Sequence, residues 1–152
     1  MTYSLDVHGH ARKASPLSIM HTVPSLRVLI VDDHAMVRQT IKATLQPYVQ
    51  IEVVGEASNG EEALLMVPQL RPTVIVMDIV MPRLDGIAST RLLKTLYPKI
   101  AVVGVSVNAK SYEVNAMLEA GAFQVITKEN AAADLYEAIQ RAAEAIQSDR
   151  AE

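Results

Sequence analysis

The feature that most constrains this chain is an alternation. Five short apolar runs, Leu26–Val31, Ile51–Ala57, Thr73–Met77, Ile100–Val107 and Phe123–Thr127, are separated by segments with helical spacing. The runs are rich in β-branched residues and little interrupted by polar ones, which suits strands covered on both faces of a parallel sheet. Between them, Val37, Ile41 and Leu45 recur four apart, and Ala63, Leu64, Val67 and Leu70 make a second stripe. Ile87, Leu92, Leu93 and Leu96 make a third, and Val114, Met117 and Leu118 a fourth that Gly121 ends as a C-cap. Leu135, Ile139, Ala142 and Ile146 make the last. Pro47, Pro72 and Pro98 fall just beyond helix ends, where a residue without an N–H is tolerated. Strand then helix, five times, predicts an α/β fold: a doubly wound, five-stranded parallel sheet of flavodoxin-like (βα)5 topology, strand order 2-1-3-4-5.

Length and composition narrow the possibilities further. At 152 residues, half of them hydrophobic, the chain suits one ordinary domain with a real core. A net charge of −3 argues against a basic nucleic-acid surface. The absence of cysteine excludes disulfide scaffolds, thiolate metal sites and cysteine nucleophiles. No apolar run approaches the roughly 18 residues needed to span a bilayer, and the N-terminus lacks the apolar stretch of a secretory signal. These features predict a cytoplasmic protein. Residues 1–24 show no period and read as a flexible arm, 25–147 as the folded domain, and 148–152 as a frayed tail or the start of a missing linker. His8 and His10 lie in that arm without a third ligand and read as solvated side chains.

The polar residues that close the strands carry the chemistry. Strand one ends in Asp32-Asp33, strand three in Asp78, strand four near Ser106 and strand five at Lys128. In a parallel sheet these carboxyl ends share one edge, and ligands bind in the crevice outside them. Each residue alone has a plain structural reading, such as Asp33 capping the next helix; together they ask for more. Three crowded carboxylates repel and need a counter-charge, which a hard divalent cation, most simply Mg2+, supplies through oxygen ligands. A lysine and a hydroxyl beside it are suited to a phosphoryl group. One Asp as nucleophile, with the others on the cation, makes an aspartyl-phosphate.

Three segments resemble the receiver domain of two-component response regulators, the CheY-like fold. Val28-Leu29-Ile30-Val31-Asp32-Asp33-His34, followed by Val37-Arg38, resembles its start. Val74 to Gly86, with Asp78, Met81-Pro82 and Asp85-Gly86, resembles its phosphorylation segment, and Gly121-Ala122 followed by Lys128 its fifth strand. Glu52 to Ala63 is similar to the NarL/FixJ-type (LuxR-family) subgroup, whose members usually carry a DNA-binding domain. The resemblance implies that Asp78 is the phospho-acceptor and that Asp33, with Asp32 and Asp78, holds Mg2+ together with the Val80 backbone carbonyl. It implies that Ser106 and Lys128 contact the phosphoryl group, and that Pro82 and Gly86 shape the loop after Asp78. The implied phosphodonor is a sensor histidine kinase or a histidine phosphotransfer protein, and a homodimer is an allowed assembly. No membrane association and no direct nucleic-acid binding by this chain are implied, and no enzymatic activity beyond its own phosphorylation and dephosphorylation.

The sequence departs from the family pattern at two side chains. Val125 stands where a switch aromatic is usual; Phe123, two residues earlier, is the candidate substitute by strand alternation. Val107 follows the hydroxyl residue where a smaller side chain is common, which would narrow access to the phosphoryl site. Little chain follows the fifth helix, which leaves three readings: a receiver that works alone, a receiver fragment of a DNA-binding transcription regulator, or a phosphate-independent pseudo-receiver. A haloacid-dehalogenase-like phosphatase is disfavoured because Val80 stands where a general acid is needed. A flavin binder is disfavoured because strand one runs into Asp32-Asp33 and not into a phosphate-binding loop.

Overall fold

The computed structural model describes residues 3–5, 11–13 and 25–150. Within the segment expected to be a flexible arm, β1 (Tyr3–Leu5) pairs antiparallel with β2 (Ala11–Lys13); the rest of that segment, with His8 and His10, lies outside the described residues. From Leu26 the predicted alternation appears in full. It runs β3 (Leu26–Val31), α1 (Ala35–Leu45), β4 (Ile51–Ala57), α2 (Gly60–Leu70), β5 (Val74–Asp78), α3 (Gly86–Leu96), β6 (Ala101–Ser106), α4 (Ser111–Ala120), β7 (Gln124–Thr127) and α5 (Ala131–Arg150).

The five strands lie parallel in the order β4-β3-β5-β6-β7, which is 2-1-3-4-5 among themselves. Strand alternation sends their side chains into two cores. On one face Val28, Ile30, Val74, Val76, Val103 and Val105 pack with Ile41 and Leu45 of α1 and with Leu135 and Ile139 of α5. On the other, Leu29, Val31, Ile75, Met77 and Val102 pack with Val67, Leu93 and Met117 of α2, α3 and α4. β5 and β6 are buried along their whole length because both faces are covered. At the usual ~25 cal/mol per Å2 of apolar surface, each such Val or Ile contributes about 1.5–3 kcal/mol.

Local rules set several boundaries. Asn59 caps α2 by accepting from Glu62 N at 2.9 Å, and Asp85 caps α3 by accepting from Ala88 N at 2.8 Å. Gly121 closes α4 at φ 119°, its N–H reaching Leu118 and Met117 carbonyls as the sequence predicts. Pro68 lies inside the last turn of α2, which stripe counting did not single out. α5 continues as helix to Arg150, past the boundary expected at 147. Among the described residues, no helix is long and apolar enough to cross a membrane.

Candidate functional site

The carboxyl ends of β3, β5, β6 and the turn after β7 meet where the strand order reverses, as the topology requires. Asp32 is fully buried and Asp78 nearly so, at 4 % exposure, while Asp33 is half-buried. Oxygens of Asp32, Asp33 and Asp78, with a ring nitrogen of His34, all lie within 4.8 Å of one another. Lys128, on the single 310 turn Lys128–Asn130 after β7, sends Nζ to within 2.6 Å of Asp32 Oδ2 and 3.5 Å of Asp78 Oδ1. Among the described residues, Lys128 is the one lysine or arginine side chain paired with the Asp32 and Asp78 carboxylates.

The backbone beneath the cluster is pinned from several sides. Ile79 N donates to Val105 O at 3.2 Å, fixing the Asp78–Ile79 junction against β6. Gly86 N donates to Ile79 O at 2.9 Å, folding the loop after β5 back onto the end of that strand. A Cβ at position 86 would lie 2.0 Å from Asp78 O and 2.8 Å from Ile79 Cα, so only glycine fits there. Arg38, one turn into α1, donates to Asp32 O at 2.6 Å and to Glu56 Oε1 at 3.1 Å. Sequence pattern alone assigns Arg38 no role; its one signal is a lone arginine one turn after His34.

Electrostatics follow from this crowding. Burial pushes the Asp78 carboxyl up to about 6, the Asp32 charge adds to the rise, and Lys128 opposes it. Asp33 does not cap α1. The N-cap position is His34, whose N–H donates to Asp32 Oδ1 at 2.8 Å, leaving Asp33 free to point into the cluster. Sequence pattern alone assigns His34 no role. Its Nδ1 lies 3.1 Å from Asp33 Oδ1 and 3.3 Å from Asp32 Oδ1. The donor set of carboxylate oxygens fits a hard divalent cation, and buried Asp33 Oδ1 has no hydrogen-bond donor of its own.

The remaining predicted residues fall around this centre. Ser106 is buried at the end of β6, its Oγ making only a 3.4 Å contact to Val107 O. Val80 is 64 % exposed, so its side chain is turned away from the cluster's burial. Pro82 is exposed on the loop that Gly86 closes. Val107 is exposed at the rim and lines two hollows. One, of about 160 Å3, also holds Ser106, Asn108 and Val125; the other, of about 440 Å3, runs between α1 and α5 past Met36, Ile41 and Lys128. Phe123 does not substitute for the switch aromatic. It precedes β7, is exposed, and its N–H bonds Val102 O at 2.8 Å, whereas Ser106 lies level with Thr127 at the opposite end. Same-face alternation is correct there, but the register puts the ring too far down the strand.

Comparison with known proteins agrees with this geometry. The family model for the response regulator receiver domain matches residues 28–140. The response regulator GacA of Pseudomonas protegens is 39 % identical over 115 residues, covering 76 % of this chain and 54 % of GacA. VraR of Staphylococcus aureus is 37 % identical over 117 residues, covering 77 % of this chain and 56 % of VraR. The chain thus spans about half the length of these curated relatives. Among solved structures, the signal receiver domain of NarL from Mycobacterium tuberculosis superposes with a TM-score of 0.75 at 26 % identity, over 80 % of this chain and 98 % of that one. The response regulator domain of Thermotoga maritima CheB gives 0.71 at 33 % identity, over 79 % and 97 %. With its 2-1-3-4-5 sheet and acidic pocket, this chain belongs to the response regulator receiver domain family of two-component systems.

Proposed function

We propose that Asp78 accepts a phosphoryl group from a phosphohistidine donor and that the charge change is read at the end of β6 and in the turn after β7. The observation that carries this reading is the placement of Lys128 Nζ at 2.6 Å from Asp32 and 3.5 Å from Asp78, over a nearly buried carboxylate. A carboxyl held at about 6 is ionised at neutral pH and is a competent nucleophile. One Asp78 oxygen bonds to phosphorus as the phosphorus–nitrogen bond to the donor imidazole breaks, and that nitrogen takes up a proton. Lys128 then exchanges part of its pairing with Asp32 for a phosphoryl oxygen, as a point charge suited to it. Ser106 Oγ, whose one contact is long, is free to donate to another phosphoryl oxygen. Asp33, Asp78 and the Val80 carbonyl would hold Mg2+, which, when bound, neutralises developing charge on the phosphoryl oxygens. Gly86 and Pro82 set the loop that presents Val80.

On this reading residues 25–147 are the working receiver, and its donor is a sensor histidine kinase or a histidine phosphotransfer protein. The groove between α1 and α5 beside Lys128, with exposed Met36 and Val107 on its rim, suits an apolar helix face of such a donor. A homodimer and a cytoplasmic location accord with it. The test is phosphorylation of the whole chain by a small phosphodonor with Mg2+, read by intact mass. Wild type gains one phosphoryl group and Asp78→Asn gains none; modification of both, or of neither, rejects Asp78 as acceptor.

A further inference from the structure

We propose that the hollow of about 160 Å3 beside Ser106 is a binding site for a small neutral aromatic alcohol, a single ring carrying one hydroxyl. The site does not depend on Asp78 being the phospho-acceptor.

The hollow follows from the side chains that α4 and β7 place over the end of β6. Gly104 lies level with Val125, and Ser106 lies level with Thr127. Residues two apart on a strand share a face, so these four all face α4. Met117 covers Gly104, its Cγ 3.3 Å from where a Cβ would stand. One turn nearer the start of α4 the cover is Val114, whose short branched side chain leaves the space beside Ser106 open.

Size, charge and hydrogen bonding then select the ligand. Ala109, Val114, Val125 and Ile126 supply an apolar wall. A hollow of about 150 Å3 with such a wall takes one benzene ring. Glu129 lines the rim and no lysine or arginine does, which disfavours carboxylates and phosphates and favours a neutral molecule. Ser106 is the buried polar group of the lining, 3 % exposed. Its O–H makes one long contact, 3.4 Å to Val107 O, and nothing among the described residues donates to its Oγ. Thr127 Oγ1 already accepts from Asn130 N at 3.2 Å, so the acceptor left open is Ser106. A buried hydroxyl oxygen has lone pairs that a donor satisfies. A ligand O–H donating to Ser106 Oγ supplies that bond while its ring lies on the apolar wall, and the Ser106 O–H stays free to donate.

The experiment titrates the full chain and follows amide chemical shifts. Phenol is the probe, and benzene, benzoate and N-acetyltyrosinamide are the comparisons. Phenol is expected to give saturable shifts grouped at Ser106–Ala109, Val114 and Val125–Thr127. Benzene should bind about threefold to tenfold more weakly, since it leaves the Ser106 oxygen without a donor. Benzoate should not bind beside Glu129. Val125→Tyr fills the hollow from β7 and Val114→Phe fills it from α4; each should abolish the phenol shifts while the other amide signals keep their dispersion. Ser106→Ala should reduce phenol to the level of benzene and leave benzene unchanged. Shifts that do not saturate, shifts as large in the groove between α1 and α5, or phenol binding that survives both filled variants overturn the site. Benzoate binding like phenol, or Ser106→Ala binding phenol like wild type, overturns the ligand class. N-acetyltyrosinamide binding as tightly as phenol overturns the free small molecule in favour of a tyrosine ring delivered by another protein.

Discussion

A carboxylate held out of water and near a second one is a cost that folding carries. Asp78 is ordinarily half-ionised near 3.8 when unfolded and near 6 when folded. Below both values it is protonated in both states and contributes nothing to pH dependence. As pH rises from about 4 to about 6 the folded state holds the proton longer, so stability falls by up to about 3 kcal/mol, and the deficit stays constant above. Asp78→Asn should therefore be more stable than wild type by about 1–3 kcal/mol at pH 7.5 without divalent cations, and about equal to it near pH 4. Urea unfolding at the two pH values checks this; a variant no more stable at pH 7.5 would remove the burial argument. Gly86 is the residue-scale counterpart on the backbone. A methyl group there would press on Asp78 O, so Gly86→Ala should cost about 2–3 kcal/mol in the same assay. Much of this scale was legible in the sequence. Asp32, Asp33, Asp78, Ser106 and Lys128 each lie at the end of an apolar run, and the parallel sheet those runs predict brings the ends to one edge. His34 and Arg38 were not legible as site residues, because a polar residue at a helix start has an equally good reading as a solvated one. Only side-chain direction, which no spacing encodes, distinguishes the two.

Elements show where pattern reasoning stops. The five strands and five helices were readable because β-branched runs and three-to-four spacing are strong, opposed signals. Boundaries moved by a residue where hydrogen bonding and not hydrophobicity decides, as at Asp78, which is still strand because it pairs level with Val105. Phe123 failed as a substitute aromatic for a related reason: period-two counting gives the face but not the depth along the sheet. Val125 is the residue at the right depth. It packs over Gly104, where a Cβ would stand 3.1 Å from its Cγ2, and it walls the 160 Å3 hollow behind Ser106. That hollow has no ring to fill it, so on the proposed reading a switch is expected to work through the loop after β6 and not through a rotor. Asn108 on that loop already holds a left-handed φ of 53°, a conformation that costs non-glycine residues on the order of 1 kcal/mol. Val125→Tyr is expected to enter the hollow and leave the rate of phosphorylation by a small phosphodonor within about twofold of wild type. A loss much larger than that, measured by intact mass against time, would mean that Val125 acts on the acceptor itself.

At the scale of the whole molecule, Asp78 and Lys128 are carried by strands of unequal standing in the sheet. β5, which carries Asp78, is hydrogen-bonded on one side to β3 and on the other to β6. β7, which leads into Lys128, is bonded only to β6, and spans four residues. A central strand gives up its amide protons only when the domain unfolds, while an edge strand can detach alone. The chain is therefore built as a fixed post with a loose flag beside it. Native-state exchange should find Val76 and Met77 protected to the level of global unfolding, and Val125 and Ile126 released through a smaller opening. Equal protection along both strands would make the sheet one cooperative body. If the hierarchy holds, a signal leaves this domain along the path that costs least to open, and a phosphoryl group needs only to tilt an edge that thermal motion already visits.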